Sequence, residues 1–208
     1  MLCCILLSNV LCGRYSWTDL ERSVLILGFV FTMKKGFTLI ELLVVIAILA
    51  VLATAVVLIL NPAELLKQAR DSTRLSDTAS VHSALALYLA DVVSPSWSAL
   101  GRCTFGVVKP FTQACTTSAL TNVTGTGWVP VNLGSISTGS PLSRLPIDPI
   151  NDVTHFYAYA QTASLTYEIN ANMESAKFAN GGGGDVETTD GGSNANWYEI
   201  GNDPGLDL

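Results

Sequence analysis

Histidine is scarce in this chain: only His82 and His155 occur among 208 residues. Nucleophilic catalysis of the triad type needs a base such as histidine held beside its nucleophile. The sequence offers no nucleophile–base pair, no metal-ligand cluster and no phosphate-binding glycine loop. We therefore do not expect an enzyme.

Positive charge is also scarce, with 11 Lys+Arg against 17 Asp+Glu and a net charge of -6. From Phe37 onwards the counts are 7 and 15, so the net charge there is -8. Proteins that bind nucleic acids neutralise phosphates with lysine and arginine. The sequence therefore indicates no nucleic acid partner, and the acidic balance is typical of a soluble exterior.

One long apolar run stands out, the 24 residues from Phe37 to Leu60, which carry the single charge of Glu41. About 20 apolar residues suffice to cross a bilayer as a helix. A carboxylate inside such a segment costs roughly 2.5–3.5 kcal/mol on insertion scales. The run therefore predicts a membrane-spanning helix, and its one acid predicts a residue with a partner and a function.

Two simpler interpretations of the run do not account for all of its features. A secretory signal is excluded because the run is longer than a typical h-region and no A-x-A-like site follows it. A plain single-span anchor accounts for the length and for the two preceding lysines, but not for Gly36-Phe37 or Glu41. Because positive residues favour the cytoplasmic side, Lys34 and Lys35 predict a cytoplasmic N-terminus and an external body.

The stretch from Met33 to Glu41 reads M-K-K-G-F-T-L-I-E. It resembles the processing site and N-terminal helix of type IV pilins and of the pseudopilins of type II secretion. The resemblance implies that a membrane aspartic peptidase cuts between Gly36 and Phe37, and that Phe37 becomes the N-methylated first residue. It also implies that the new α-amine of one subunit meets Glu41 of a neighbour during assembly, which neutralises both charges in a medium of low dielectric constant.

Residues 1–36 are accordingly interpreted as a leader. Residues 1–32 contain two apolar patches, each too short to cross a membrane. Because Met33 opens a complete short leader, translation is predicted to start at Met33. The alternative is a start at Met1 with a long leader that the same cut removes. Both alternatives give the same mature chain.

Two helices are expected after the leader: a transmembrane or filament-core helix over 37–61 and an amphipathic helix over 62–94. Between them, Asn61 is predicted to be an N-cap, with Pro62 at the first helical position and Glu64 three residues after the cap. The alternative is a continuous helix that Pro62 kinks. The apolar stripe of the second helix is predicted to comprise Leu75, Ala79, His82, Leu85, Ala86 and Leu89. The charged side chains expected mostly on its other faces are Lys67, Arg70, Asp71, Arg74 and Asp77.

Residues 95–208 are predicted to form a globular head whose small antiparallel sheet packs on the second helix, an α+β fold. The strand-like runs 154–161 and 165–172 alternate as in a hairpin. A third strand is expected at 197–200, and a short one at 128–133 within a loop region. On the first run, Phe156, Ala158 and Ala160 are predicted on one face and Tyr157, Tyr159 and Gln161 on the other.

Single residues of the head and of the second helix also carry predictions. Cys103 and Cys115 remain as a pair if the leader is removed, and an exported domain favours a disulfide; two free buried thiols are the alternative. Asp148, in the stretch L-P-I-D-P, is expected to form a turn rather than to bind a ligand. His82 is interpreted as a packing residue rather than a metal ligand.

The C-terminal tail is rich in glycine and acidic residues. Asp185, Asp190 and Asp203 could offer oxygen ligands to Ca²⁺, and some pseudopilins bind calcium in a C-terminal loop. The spacing does not reproduce an EF-hand loop, so a solvated loop without a cofactor is the first expectation and calcium the second.

We expect a structural subunit of a type IV pilus or a type II secretion pseudopilus. The resemblance implies as partners a prepilin peptidase and methyltransferase, copies of the chain and other pilin-like subunits, the membrane and an inner-membrane assembly platform. It implies a single-pass protein of the cytoplasmic membrane before assembly, and a periplasmic or cell-surface filament afterwards. The alternative is a single-span anchor that presents an extracytoplasmic binding domain and does not polymerise.

Overall fold

A computed structural model describes residues 36–106 and 110–208. The chain divides into two compact units, Met1–Leu52 and Ala53–Leu208. Residues 1–35 lie outside the described residues. They include Lys34, Lys35 and the two alternative starts, Met1 and Met33.

The first helix, α1, is Leu39–Leu60. It contains no glycine or proline, and every side chain from Phe37 to Val57 is exposed, as expected of a helix surrounded by lipid or by other helices. Leu39–Val57 has a mean hydropathy of 2.9 and is the only stretch among the described residues long and apolar enough to cross a membrane. Its 19 residues extend about 28 Å, close to the ~30 Å of a bilayer core, which is consistent with membrane anchoring.

The second helix, α2, is Pro62–Asp91, and the break before it lies at Asn61. Asn61 is the N-cap residue and Pro62 begins the helix, as predicted. The side chain of Asn61, whose φ is 40° in the left-handed region, makes no capping hydrogen bond, so the capping box is absent. The carbonyl of Asn61 instead accepts the amides of Glu64 and Leu65 at 3.0 and 3.3 Å. The carboxylate of Glu64 is engaged elsewhere, because its Oε1 accepts the amide of Ala176 at 2.7 Å.

Five strands form one mixed sheet in the order β2-β1-β3-β4-β5. The strands are β1 Leu100–Cys103, β2 Cys115–Thr117, β3 Tyr157–Gln161, β4 Tyr167–Ala171 and β5 Tyr198–Gly201. The pair β1–β2 is parallel and the other pairs are antiparallel. Because α2 packs against β4 and β5, the predicted α+β class with a helix on a sheet is confirmed, although the sheet is mixed.

The predicted hairpin is present as β3 and β4, with Tyr157 opposite Ala171 and Gln161 opposite Tyr167. The predicted third strand is β5, displaced by one residue. The face alternation of β3 is confirmed as well. Tyr157 and Tyr159 join the core beneath α2, whereas Ala158 and Ala160 join a second core on the opposite face.

The strand predicted over 128–133 is wrong. The segment makes one isolated bridge, between Thr124 and Asn132, and leads into a 3₁₀ turn at Leu133–Ser135. Pro130 has no N–H for a sheet ladder, and the apolar side chains of the segment serve the core instead. Trp128 is fully buried, and its indole N–H donates to the carbonyl of Pro146 at 2.8 Å.

The buried stripe of α2 also differs from the predicted one. Ala79 and Ala86 are exposed, and Leu75, His82 and Leu89 are only half-buried. The buried residues are Asp71, Arg74, Thr78, Val81, Ala84, Leu85 and Tyr88. Two charged residues expected to face outward thus lie in the interface, because each finds partners there.

Candidate functional site

The predicted cleavage site lies before the first helical residue. Gly36, Phe37 and Thr38 have no regular secondary structure. Apart from the chain neighbours of Gly36, no atom of the described residues lies within 4 Å of a Cβ built there, and Phe37 is 81% exposed. Among the described residues, nothing covers the Gly36–Phe37 peptide bond, as a protease substrate requires.

Thr38 and Glu41 form a reciprocal cap at the start of α1. Oε2 of Glu41 accepts the backbone N–H and the hydroxyl of Thr38, both at 2.8 Å. In return, Oγ1 of Thr38 accepts the amide of Glu41 at 3.3 Å. This is a capping box, and it satisfies amides that the first turn of a helix leaves without partners.

The cap gives Glu41 a local role that the sequence interpretation missed. The signal was available, because Thr38-Leu39-Ile40-Glu41 is the Thr-x-x-Glu pattern that precedes an apolar helix. Both hydrogen bonds that Thr38 donates to Glu41 are accepted by Oε2. Thr38 therefore joins Gly36, Phe37 and Glu41 as a residue of this site.

Arg74 is the centre of a buried ionic cluster in the head. Its guanidinium donates to Asp148 at 2.6 and 3.0 Å and to Asp71 at 2.7 Å. It also approaches Glu174 at 3.6 Å, and Glu174 pairs with Arg70 at 2.5 Å. Burial acts to lower the pKa of Arg74, but the hydrogen bonds and charges of Asp148 and Asp71 outweigh it and raise that pKa.

The carboxylates of the cluster also hold the backbone. Asp148 accepts the amides of Ile150 and Asn151 at 2.8 and 3.1 Å, so it forms the expected turn as well as an ion pair. Asp71 accepts the amides of Glu174 and Ser175 at 3.0 and 2.7 Å. The cluster therefore ties two loops of the head to α2.

A second polar cluster lies on the sheet face opposite α2. The side chains of Glu168 and Glu199 are 1% and 2% exposed, and no cation pairs with either among the described residues. Asn170 Nδ2 donates to both, at 2.5 and 3.2 Å. Burial raises the pKa of Glu168; burial and the charge of Glu168 raise that of Glu199 to about 8.

The segment over this cluster depends on a glycine. A Cβ at Gly192 would collide with the carboxylate of Glu199. That carboxylate accepts the amide of Asn194 at 2.9 Å, and Glu168 accepts the amide of Leu208 at 3.1 Å. Part of the glycine content of the tail therefore reflects a close approach to a buried carboxyl group.

The two cysteines of the head, Cys103 and Cys115, form a disulfide with their Cα atoms 5.8 Å apart. His82 is half-buried, with Nδ1 3.1 Å from the hydroxyl oxygen of Tyr167. Burial lowers the pKa of His82, which suits an uncharged packing residue.

The three calcium candidates each belong to a local turn. Asp185 accepts the amides of Gly181, Glu187 and Thr188, Asp190 those of Gly192 and Glu199, and Asp203 that of Asp207. Within 36–106 and 110–208, no three His, Cys, Asp or Glu side chains are grouped so that they could hold a metal ion. These contacts describe turns, and calcium binding stays a prediction.

Comparison with known proteins adds one finding. The family model for the prokaryotic N-terminal methylation motif matches residues 31–57. Searches of curated proteins and of solved structures found no match. The match covers the cleavage site, the cap and most of α1, but not the head. The chain thus carries the N-terminal methylation motif, the signal motif of type IV pilins and pseudopilins.

Proposed function

We propose that this protein is a structural subunit of a type IV pilus or of a type II secretion pseudopilus. It is inserted in the cytoplasmic membrane with its N-terminus inside, cut between Gly36 and Phe37, methylated on Phe37 and polymerised into a helical filament. The observation that carries the proposal is the methylation motif at residues 31–57. The uncovered peptide bond at Gly36 and the fully exposed apolar surface of α1 support it.

The partners follow from the same motif. A prepilin peptidase and methyltransferase act on the leader junction, and an inner-membrane assembly platform receives the mature subunit. The exposed apolar side chains of α1 must be covered by lipid or protein, and in a filament other subunits cover them. Glu41 then meets the α-amine of a neighbouring subunit, because a buried charge needs a partner.

The capping box favours one rival function. Because Thr38 gives Glu41 a local partner, a plain membrane anchor with an extracytoplasmic binding domain needs no second subunit to explain this carboxylate. The two functions differ in what Glu41 does: in the anchor it caps a helix, and in the filament its charge is needed as well.

Substitutions separate these roles. Gly36→Leu is expected to leave uncut precursor in the membrane, measured by intact mass. Glu41→Gln keeps an acceptor for the cap but removes the charge, whereas Thr38→Ala weakens the cap and keeps the charge. Assembly is measured as the amount of subunit in sheared filament fractions of the native host.

The filament function predicts that Glu41→Gln is cut but assembles poorly, at about a tenth of the parent level or less, as for a loss of 1.4 kcal/mol or more. Thr38→Ala should assemble nearly as well as the parent. Equal assembly of the parent and Glu41→Gln, or no filaments from the parent, would support the anchor instead.

A further inference from the structure

The start of α2 presents apolar and basic side chains directly after the membrane-spanning segment. Leu65 and Leu66 are 51% and 61% exposed, and Lys67 follows them. The candidate span ends at Val57, so Lys67 is no more than about 15 Å beyond it along the helices. Side chains of a helix lean toward its N-terminus, so that of Lys67 leans toward the membrane, with its stem along apolar surface and its ammonium on the headgroup side.

A second segment of the head is fixed beside this turn. After β4, the amide of Ala176 donates to Glu64 at 2.7 Å, and the amide of Ser175 donates to Asp71 at 2.7 Å. Lys177 is the next residue and is exposed. A loop distant in sequence therefore adds a second lysine near the start of α2.

Basic residues are concentrated at this end of the head. Four of the seven Lys+Arg after Phe37 occur here, on α2 and on the loop after β4: Lys67, Arg70, Arg74 and Lys177. Arg70 and Arg74 are paired with carboxylates. Lys67 and Lys177 make no ion pair among the described residues. The Lys177 ammonium lies over the ring of Phe178, 4.7 Å from its centroid, and neither charge is neutralised by a carboxylate there.

We propose that Leu65, Leu66, Lys67 and Lys177 form a lipid-docking edge that rests on anionic phospholipid headgroups while the chain is anchored in the membrane. A lipid surface is the occupant indicated by the position of this edge, because Leu65, Leu66 and Lys67 follow the end of the span at Val57 by only eight to ten residues. Exposed leucines beside lysines suit the boundary between acyl chains and charged headgroups. The inference rests on the membrane insertion that the proposed function requires.

The test uses the full chain, one copy per nanodisc, in discs of phosphatidylcholine with or without phosphatidylglycerol. Amide hydrogen exchange is measured by mass spectrometry over residues 62–70 and 174–186. Slower exchange with phosphatidylglycerol is expected, by about fivefold, the factor expected from one lysine near an anionic surface. The difference should vanish at about 1 M salt, where the Debye length is about 3 Å.

Paired variants assign the effect to the edge. Lys67→Gln with Lys177→Gln should abolish the dependence on phosphatidylglycerol. Arg102→Gln with Arg144→Gln removes the same charge from residues outside α2 and outside the loop after β4, and should retain the dependence.

Three results overturn the inference. Exchange that is independent of lipid charge, or equally affected by both variant pairs, shows that the edge does not bind headgroups. Protection that appears only with two copies per disc makes a second chain the occupant. A chain that does not insert into discs overturns both this inference and the proposed membrane function, and is distinguishable by its absence from the disc fraction.

Discussion

Arg74 has a fully buried side chain that donates three hydrogen bonds to the carboxylates of Asp71 and Asp148, and Glu174 lies 3.6 Å from it. An ion pair of this kind adds little net stability, because desolvation of the charges opposes their attraction. Removal of the arginine is destabilising, however, because Asp71 and Asp148 would remain buried without a cation. The cluster therefore fixes the loops to the helix more by the cost of breaking it than by the gain of forming it.

Replacement of this arginine should therefore destabilise the head. Arg74→Met is expected to lower the free energy of unfolding by about 3–5 kcal/mol, measured by urea unfolding in detergent with tryptophan fluorescence. Arg70→Met is the control: its side chain is 31% exposed, so a much smaller loss of stability is expected, because solvent screens an exposed pair. Equal stability of the two variants would contradict the account.

The buried carboxyl pair predicts a dependence on pH. Burial raises the pKa of Glu168 and raises that of Glu199 to about 8, above the ordinary value of 4.5. Between these values the native state binds more protons than the unfolded state, so stability falls as the pH rises from about 4.5 to about 8.

Substitution tests this source of the pH dependence. Glu199→Gln should flatten the decline in unfolding midpoint over that range and stabilise the head at pH 8. The exposed Asp207→Asn serves as a control that keeps the decline. A decline unchanged by Glu199→Gln would show that another group causes it.

Sequence patterns could predict the residues of the N-terminal site because their partners are adjacent. Gly36, Phe37 and Glu41 stand within six positions, and even the missed cap of Thr38 has a local signature. The partners of Arg74 are different: Asp148 is 74 positions away. The sequence pattern of α2 therefore does not distinguish the buried charge of Arg74 from a solvated one, because the carboxylate of Asp148 that neutralises it is remote in sequence.

The disulfide joins two short elements, β1 and β2. It closes a loop across 12 positions, which corresponds to about 3 kcal/mol of chain-entropy stabilisation. We expect Cys103→Ser with Cys115→Ser to lower the free energy of unfolding by about that amount, measured by urea titration. If the variant unfolds at the parent midpoint, the bond does not stabilise the head.

A strand can be predicted from sequence when its own residues and a nearby partner determine its pairing. β3 and β4 alternate clearly and are joined by a short turn, so their pairing could be predicted. β1 and β2 are four and three residues long and lie in a segment rich in Ser, Thr and Gly. β1 forms because β3 supplies an edge, with Leu100 opposite Gln161, and β2 pairs in turn with β1. Because β3 is distant in sequence, this template leaves no periodic signal in the sequence of β1 and β2.

At the scale of the whole molecule, hydropathy separates the two kinds of surface. The side chains from Phe37 to Val57 are all exposed and, apart from that of Glu41, apolar or small, whereas the head buries most of its aromatic residues on both faces of a sheet. Exposure of the apolar surface of α1 to water is unfavourable, so this surface needs lipid or protein to cover it. We propose that processing at Gly36 supplies the cation with which Glu41 lets copies of this helix pack together.

The most direct test is N-terminal analysis of the mature protein isolated from its native membranes or filaments. The account predicts that the chain begins at Phe37 and carries an N-methyl group there. A mature chain that begins at any other residue, or a Phe37 amine without the methyl group, would contradict it.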